Sequence, residues 1–451
     1  MNCKKILAGI LSAAMVFTTM AIPAFADDNG NVASIGTTSY KTLTAAITEA
    51  KDNDTVTLLS DVTESITVEK GKNITLDLNG YKLTNTDKEH TITNYGTLTI
   101  EDSSNGSGTV DNVTHARAAL VNFEGATATL NGGTFKRSAE KGTYEPYSNG
   151  KNSYYTVQNG GTMTINNEVV VENSGGYSSN IVNDGNSAEK TAQLTVNGGT
   201  FSGGINTLKN GGYGVLKIRG GIFTNTVQSC IMNWNKANIS GGEFNGSKDV
   251  DSVYNGSYTD TKVDFTMIGD LTITGGTFTG AIVAVNYEGQ ATADPVTSIT
   301  GGTFDTNVNS YCAEGFAPTK NADSTYTVDN TIKWEYDTDS GFYVVNDAKL
   351  GMMRFMFNAG TINDTVTEAG IKYISAANLG KSFDEGSVSI ATDSAAVQGD
   401  IVGITEGTNG TYYAAAYLKT ATNTFWSKPL ACTINWKQQF TNYKITEGGN
   451  K

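Results

Sequence analysis

Histidine, cysteine and proline are scarce in this sequence, and each scarcity excludes a class of protein. The 451 residues include two histidines and no G-x-S-x-G elbow, which argues against Ser-His-Asp catalysis. The four cysteines lack C-x-x-C spacing and make neither a disulfide framework nor a zinc site, so we expect Cys230, Cys312 and Cys432 to be small buried hydrophobic residues. Five prolines against 51 glycines, with abundant Thr, Asn and Val, indicate strands joined by tight turns.

Positive charge is also in short supply. Lys and Arg number 31 against 45 Asp and Glu, which gives a net charge of −14. A chain this acidic repels nucleic acid and anionic membrane surfaces, so we expect no nucleic-acid partner. After the first 26 residues no apolar run is long enough to span a bilayer, and no transmembrane segment is predicted.

Residues 1–26 have the features of a secretory signal peptide. Lys4 and Lys5 precede an apolar run that ends in Ala24-Phe25-Ala26, a small-x-small cleavage sequence. No cysteine stands directly after that sequence, so a lipid anchor is not indicated. We therefore expect the mature protein to be extracellular, either secreted or associated with the cell surface.

Two short phrases recur along the chain. The phrase Gly-Gly-x-Phe, as in TITGGTFTG at 272–280, occurs six times, with first glycines Gly132, Gly198, Gly220, Gly241, Gly275 and Gly301. The second phrase is an asparagine two positions after an apolar residue, found at Asn94, Asn122, Asn159, Asn183, Asn210, Asn233, Asn255 and Asn286. A minimum spacing of about 22 residues with longer excursions is typical of a solenoid with loop insertions.

The residues between these phrases alternate between apolar and polar. Leu271-Thr272-Ile273-Thr274, for example, has a period of two, which indicates a strand. Short strands and tight turns in each repeat predict a parallel β-helix. We expect Gly-Gly to provide the bend and the phenylalanine to stack on that of the next coil. We expect the asparagine to adopt αL geometry and to pass amide hydrogen bonds to the neighbouring coil.

Both ends of such a stack are open sheet edges that need covering. Residues spaced as on one face of a helix are Leu43, Ala46, Ile47 and Ala50. They predict an N-terminal helical cap within residues 27–52. After the last GGTF the repeat is lost and Pro318 appears, so the solenoid with its C-terminal cap is predicted to occupy 53–330.

A resemblance to a known group is carried by four stretches of the chain. They are VASIGTTSYKTLTAAITEAKDNDTVTLLSDV, NITLDLNGYKLTN, the GGTF coils and SYCAEGFAPTKNADSTYTV. In these stretches, roughly residues 32–330, the sequence resembles exported right-handed parallel β-helix proteins of Gram-positive bacteria, which have a pectin-lyase-like fold. The resemblance implies a right-handed solenoid. Many members of the group have no assigned activity, so it implies no catalytic residues.

The Gly-Gly-x-Phe phrase is absent from the sequence after residue 330. Two apolar stretches, 332–336 and 342–345, flank DTDSG and predict a β-hairpin. Further strands are predicted in GMMRFMFNAG, GIKYISAANLG, TYYAAAYLKT and ACTINWKQQF. Residues 331–451 therefore predict a β-sandwich, similar to the accessory modules that end many exoproteins.

Enzymes of the pectin-lyase-like fold cut acidic polysaccharides, but their site patterns are absent. The polygalacturonase-like pattern combines Asp-Asp with Gly-His-Gly, whereas here the Asp-Asp is Asp27-Asp28 and the histidines are His90 and His115 in other contexts. The Arg-x-Pro of pectate-lyase-like sites does not occur. Two carboxylates on adjacent coils could still hydrolyse a glycosidic bond. Catalytic residues stay unknown, and neither a metal site nor a cofactor is predicted.

Two features point to binding. In Leu216-Lys217-Ile218-Arg219 the alternation places Lys217 and Arg219 on the outer face, where they form a small basic spot that could meet an acidic sugar. The same pair could simply balance neighbouring acids. The longest insertion, 138–155, carries Tyr144 and Tyr147, whose rings could stack on sugar faces or pack onto their own coils.

The sequence favours a non-catalytic, adhesin-like binding protein that recognises a polysaccharide or a cell-surface glycan, and we expect it to be a monomer. The alternatives are a polysaccharide lyase or glycoside hydrolase acting on acidic polysaccharide, and a structural spacer that presents the C-terminal domain.

Overall fold

The computed structural model describes residues 30–330 apart from 105, 115, 139–153, 174–177, 261–264 and 314. Further on it describes 334–336, 341–345, 350–359, 366–375, 387–389, 396–405, 409–421, 424–435 and 446–447. Nearly all regular structure in these residues is strand, so the all-β prediction is confirmed. Within them, no helix is long and apolar enough to cross a membrane. The predicted signal peptide lies outside the described residues.

The larger sheet, named here the phenylalanine sheet, carries the Gly-Gly-x-Phe phrases. Its strands pair in parallel with those one repeat away, as Ile222–Thr224 does with Thr200–Gly203 and with Glu243–Asn245. Only its two ends are antiparallel. As described, its strands are Ala33–Ile35, Thr38–Tyr40, Asp54–Leu58, Val62–Thr63, Asn73–Asp77, Lys82–Thr84, Thr97–Glu101, Thr109–Asp111, Thr127–Lys136, Thr162–Asn173, Ala192–Val196, Thr200–Gly203, Gly214–Ile218, Ile222–Thr224, Lys236–Ile239, Glu243–Asn245, Asp270–Thr279, Val296–Phe304, Phe316–Lys320 and Tyr326–Asn330.

The second sheet, named the asparagine sheet, contains most of the strands that end at a recurring asparagine. Ile181–Asn183, for example, pairs in parallel with Val157–Asn159 and with Asn206–Asn210. Its described strands are Ile66–Val68, Ile92–Asn94, Leu120–Asn122, Val157–Asn159, Ile181–Asn183, Asn206–Asn210, Ser229–Asn233, Asp251–Asp260, Phe265–Ile268 and Ile282–Asn286. The chain passes alternately through the two sheets, and one such passage is called a coil below. These long parallel sheets are consistent with a β-helix.

Phenylalanines of consecutive coils lie face to face in the core. The stacked rings are those of Phe201, Phe223, Phe244, Phe278 and Phe304. Successive ring centroids are 4.6–5.1 Å apart, and each side chain is at most 1% exposed. The predicted stack is confirmed for these coils. Phe135 is outside it because its partner in the next coil is Val171.

The two glycines of each phrase are required for different reasons, as Gly275 and Gly276 show. A Cβ on Gly275 would lie 2.6 Å from the carbonyl oxygen of Ser240 in the adjacent coil. Gly276 has a φ of +109°, in the left-handed region that L side chains rarely adopt. The phrase therefore forms a bend that packs closely on the neighbouring coil, as the sequence predicts.

A continuous row of buried side-chain amides, the asparagine ladder, runs along the asparagine sheet. Its members are Asn94, Asn122, Asn159, Asn183, Asn210, Asn233 and Asn255. Each Nδ2 donates to the Oδ1 of the next asparagine at 2.7–2.8 Å. Most also donate to backbone carbonyls of the same or the next coil. The predicted hydrogen bonds between coils are confirmed.

Two details of the asparagine prediction are wrong. None of the ladder asparagines has a positive φ in the described residues, because each lies in a strand with its side chain buried in the core. Asn286 is not a member of the ladder. Asn255 pairs in register with Ala284, and the Asn286 side chain instead bonds to the backbone of Ala291.

The N-terminal edge is covered by a helix and by a short antiparallel strand. The helix Leu43–Glu49 follows Thr42, whose hydroxyl accepts a hydrogen bond from the Ala45 amide and caps the helix. All four predicted apolar positions are buried, so the predicted helix is confirmed. The strand Ala33–Ile35, which the sequence analysis missed, pairs antiparallel with the first parallel strand, Asp54–Leu58.

The opposite edge is closed by a hairpin. Its strands, Phe316–Lys320 and Tyr326–Asn330, pair antiparallel, and the second also pairs with the end of Val296–Phe304. Pro318 lies in this hairpin, where the parallel pairing has ended. The predicted loss of the repeat after the last GGTF is therefore confirmed.

Beyond residue 330 the described strands form two antiparallel sheets. One contains Trp334–Tyr336, Gly341–Val345, Leu350–Ala359 and Ala396–Thr405. The other contains Glu368–Ser375, Ser387–Ser389, Asn409–Lys419, Thr424–Trp426, Leu430–Asn435 and Thr446–Glu447. Each of the four later segments predicted to form strands contains one.

The predicted hairpin around DTDSG is wrong. Trp334–Tyr336 and Gly341–Val345 both pair with Leu350–Ala359, whose other side is taken by Ala396–Thr405. The two segments are consecutive parts of one interrupted edge. The segments on either side of DTDSG therefore do not pair with each other, and residues 337–340 themselves lie outside the described residues.

The phenylalanine stack gives the first testable prediction. Replacing Phe244 by Ala removes a ring packed on both faces, and we expect the free energy of unfolding of the mature chain to fall by about 3–5 kcal/mol. Ile222→Ala is the matched control, since Ile222 is 41% exposed on the same sheet, and should change stability by roughly 0.5 kcal/mol or less. Denaturant titration measures both. Equal losses would show that the stack carries no special share of the core.

The asparagine ladder gives a second prediction. Asn183→Ala leaves the buried Nδ2 of Asn159 and the Oδ1 of Asn210 without their partner, so the loss should reach about 2 kcal/mol or more. Asn238→Ala, an exposed asparagine of the other sheet, serves as control and should be nearly neutral. Comparable denaturation midpoints for the two variants would contradict a structural role for the ladder.

Candidate functional site

A cavity of about 320 Å³ lies against the outer face of the asparagine sheet. Its lining residues are Asp184, Lys209, Gly211, Gly212, Gln228, Met232, Trp234, Tyr254, Tyr258, Met267 and Tyr287. The volume is within the range of small-molecule sites, and the combination of aromatic walls with a few polar groups is typical of them. We take this aromatic cavity as the candidate functional site.

The floor of the cavity is formed by outward residues of three consecutive strands. Lys209, Met232 and Tyr254 are register partners, so their side chains stand side by side. They face outward because side chains alternate along a strand and the flanking Leu208 and Asn210 are fully buried in the core.

One wall of the cavity is an insertion that interrupts the repeat. The strands Asp251–Asp260 and Phe265–Ile268 pair antiparallel, with Tyr258 opposite Met267. Phe265 of this pair stacks on Tyr213 with ring centroids 4.5 Å apart. The insertion thus folds back over an earlier coil and encloses the space above the floor.

Four aromatic rings form the apolar part of the site. The ring centroid of Trp234 lies 5.9 Å from that of Tyr254 and 6.4 Å from that of Tyr258, and Tyr258 lies 5.9 Å from Tyr287. Trp234 directly follows a ladder asparagine, so the ladder fixes where its backbone leaves the sheet. A Cβ on Gly256 would lie 2.5 Å from the Trp234 ring, so only glycine at this position leaves room for the indole.

The glycines after Asn210 make room for the polar part of the site. A Cβ on Gly211 would lie 2.1 Å from the Asp184 carboxylate carbon. A Cβ on Gly212 would lie 2.6 Å from the Phe265 ring of the insertion. Larger side chains at these positions would displace the carboxylate or the insertion, so both glycines shape the cavity.

Two opposite charges share the cavity without touching. Asp184 Oδ1 accepts a hydrogen bond from the Tyr213 amide at 3.0 Å, and burial raises the pKa of this carboxyl group above its usual value. Burial also lowers the pKa of Lys209, partly opposed by the charge of Asp184. Within the described part of the chain, the Lys209 ammonium has no hydrogen bond and forms no ion pair with Asp184 within 4.0 Å.

The residues singled out from the sequence lie elsewhere. Lys217 and Arg219 are exposed on the phenylalanine sheet, so the predicted outward orientation is confirmed, but neither lines the aromatic cavity. Arg219 donates to the Oδ1 of Asn197 at 3.3 Å, at the end of a second, outer row of asparagines. Tyr144 and Tyr147 lie outside the described residues.

The cavity residues were missed, although the sequence contained a signal. Trp234 is an aromatic residue directly after a ladder asparagine, and the following repeat is lengthened by the insertion that carries Tyr258. Single-sequence periodicity marks the interruption. It does not show that the inserted strands turn back toward the coil of Gly212.

The buried carboxylate of Asp102 serves the fold. Burial alone would raise its pKa, but hydrogen bonds from the Ser104 hydroxyl and from the backbone amides of Gly108, Gly80 and Ser104 outweigh burial and lower the pKa. Cys230 is buried, and burial raises the pKa of its thiol to about 12, as expected for a core residue. The described residues contain no group of three or more potential metal ligands.

Comparison with known proteins gives no match. No family model matches the chain, and no curated protein and no solved structure is significantly similar to it. A functional assignment therefore depends on the geometry of the site.

The buried Lys209 gives a prediction about stability. Because burial lowers its pKa below the ordinary 10.5, the charged lysine favours the unfolded chain at neutral pH. Lys209→Met should therefore raise the free energy of unfolding at pH 7. The gain should shrink as the pH approaches 10.5 and the unfolded lysine loses its proton as well.

Exposed Lys217 provides the control for this measurement. Lys217→Met should leave stability within about 0.5 kcal/mol of the wild type across the same pH range. A loss of stability in Lys209→Met at pH 7 would mean that the buried ammonium stabilises the fold, contrary to this account.

Proposed function

We propose that this protein is an exported, non-catalytic glycan-binding protein and that its ligand occupies the aromatic cavity. The observation that carries the proposal is the set of Trp234, Tyr254, Tyr258 and Tyr287 around one space with polar groups on its floor. Sugar rings have apolar faces that pack on aromatic rings and hydroxyl edges that need hydrogen-bond partners. The cavity offers both kinds of surface at close range.

The proposed architecture is a right-handed parallel β-helix with a helical cap over residues 53–330. It is supported by the parallel pairing between coils, the stacked phenylalanines and the covered edges. Right-handed crossover is the general rule for parallel strands joined within one sheet. The same resemblance, to exported β-helix proteins of Gram-positive bacteria, and the features of residues 1–26 support export to the cell surface or medium.

For residues 331–451 we propose an accessory β-sandwich. Both antiparallel sheets contribute to one hydrophobic cluster, with Phe355 and Phe357 from one sheet and Ile371 and Leu418 from the other. A shared core between two antiparallel sheets is the defining feature of a sandwich. Phe425 of this cluster stacks on Phe316 of the hairpin at 5.5 Å.

A binding role is favoured over glycoside hydrolysis because the cavity holds one carboxylate. Hydrolysis by the usual mechanisms needs two carboxyl groups flanking the glycosidic bond. Of the residues that line the cavity, Asp184 is the acidic one. The spacer alternative predicts that residues 331–451 alone bind whatever the full chain binds, whereas our proposal predicts that binding requires the cavity residues between 184 and 287.

The function is tested by Trp234→Ala. We expect titration of the mature chain with immobilised or free oligosaccharide panels to detect a ligand, and Trp234→Ala to weaken it at least about tenfold, as for a central aromatic contact. Binding should also change the fluorescence of Trp234.

Phe123→Ala is the matched control. Phe123 also follows a ladder asparagine and is 36% exposed, but it does not line the cavity, so its loss should leave affinity unchanged. Absence of binding over broad glycan panels would defeat the proposal. Release of new reducing ends or unsaturated products from the same panels would show an enzyme instead.

A further inference from the structure

We infer that the aromatic cavity selects neutral sugars, with one hydroxyl group of the ligand bridging Lys209 and Asp184. The inference rests on the proposed function and adds the chemical class of the ligand. It is drawn from the two charged groups that share the cavity without contacting each other.

Lys209 presents three donors and no acceptor to the cavity. Its neighbours in register, Val182 and Met232, are apolar and mostly buried, so the strand offers the ammonium no partner. Within the described residues no acceptor is within hydrogen-bonding distance of it. A ligand atom that enters here must accept a hydrogen bond.

Asp184 has the opposite requirement. Its Oδ1 is engaged by the Tyr213 amide, and within the described chain its Oδ2 has no hydrogen-bond donor. The Tyr213 amide orients the carboxylate, and Gly211 leaves room for it, because a Cβ there would lie 2.1 Å from the carboxylate carbon. A ligand atom beside it must donate a hydrogen bond.

A hydroxyl group satisfies both requirements, because its oxygen accepts from Lys209 while its proton is donated to Asp184. A ligand carboxylate would satisfy Lys209 but would be repelled by Asp184, and it could donate nothing. A ligand ammonium would satisfy Asp184 and be repelled by Lys209. Unpaired charges in a partly buried site are costly, so both classes of charged ligand are penalised.

The net charge of the whole molecule also disfavours anionic ligands. The sequence carries a net charge of −14, and the two charges of the cavity cancel. Anionic polysaccharides are therefore repelled at long range and gain no net attraction in the site. A neutral sugar is unaffected by the field and should bind with little dependence on salt.

The test compares matched oligosaccharides on the full mature chain. A neutral hexose oligosaccharide and the hexuronate oligosaccharide of the same linkage and length are titrated at low and at high salt. We expect the neutral ligand to bind at least about tenfold more tightly, with less than about a twofold change between salt concentrations. Tighter binding of the hexuronate would overturn the inference.

Two variants test the bridging hydroxyl. Lys209→Met and Asp184→Asn should each weaken the neutral ligand, and Asp184→Asn should also reduce the penalty against the hexuronate because it removes the repelling charge. Asparagine can still accept the Tyr213 amide, so the local fold is kept. Lys217→Met is the control and should change the affinity for neither the neutral nor the hexuronate ligand. A change in affinity would indicate that the ligand binds at the basic spot on the phenylalanine sheet.

The outcomes separate the two proposals. Preference for the hexuronate together with a loss in Trp234→Ala would overturn the neutral-sugar inference and leave glycan binding at the cavity in place. No binding of either ligand, or binding that Trp234→Ala does not affect, would overturn both.

Discussion

The hydrogen bond that each ladder asparagine donates to the next is the interaction on which the rest of the structure depends. Bonds of 2.7–2.8 Å between buried amides fix the register of the strands that carry the ladder, because a shift of one residue would bring an outward side chain into the core. From Asn94 to Asn233, each of these strands ends at its ladder asparagine. Residues that follow the asparagine, among them Phe123, Asp184 and Trp234, are therefore held in one row along the outside. The cavity uses three such positions, Asp184, Gly211 and Trp234, so its geometry derives from a core interaction that lies outside the cavity.

The core and the cavity follow opposite physical rules. Stacked rings such as Phe223 and Phe244 are fully buried and have all their contacts within the chain. In the cavity, Lys209 and Asp184 are partly removed from water without forming an ion pair with each other, an arrangement that costs stability. A rigid surrounding structure can keep buried charged groups in such positions. When a natural protein keeps a destabilising arrangement of this kind, the usual reason is function. The regular coils on both sides provide that rigidity.

Much of the fold could be predicted from the sequence because it depends on periodic positions. The phenylalanine stack and the ladder follow from two recurring phrases, and the helix Leu43–Glu49 follows from the helical spacing of its apolar residues. Two of the wrong predictions concern segments where the repeat is interrupted or has ended. Asn286 matched the phrase but lies two residues beyond the ladder position, and the segments that flank DTDSG pair with a third strand instead of with each other. The cavity depends on an insertion that folds back across earlier coils, and such long-range placement leaves no trace in local periodicity.

The ladder also bears on how a chain of this kind changes in length. Each inner asparagine of the ladder bonds to the coil before it and to the coil after it in the same way, whatever insertions the coils carry. Duplication or loss of a whole coil by recombination would leave every amide matched and every ring stacked. The number of coils can then change without altering the caps or the residues that line the cavity.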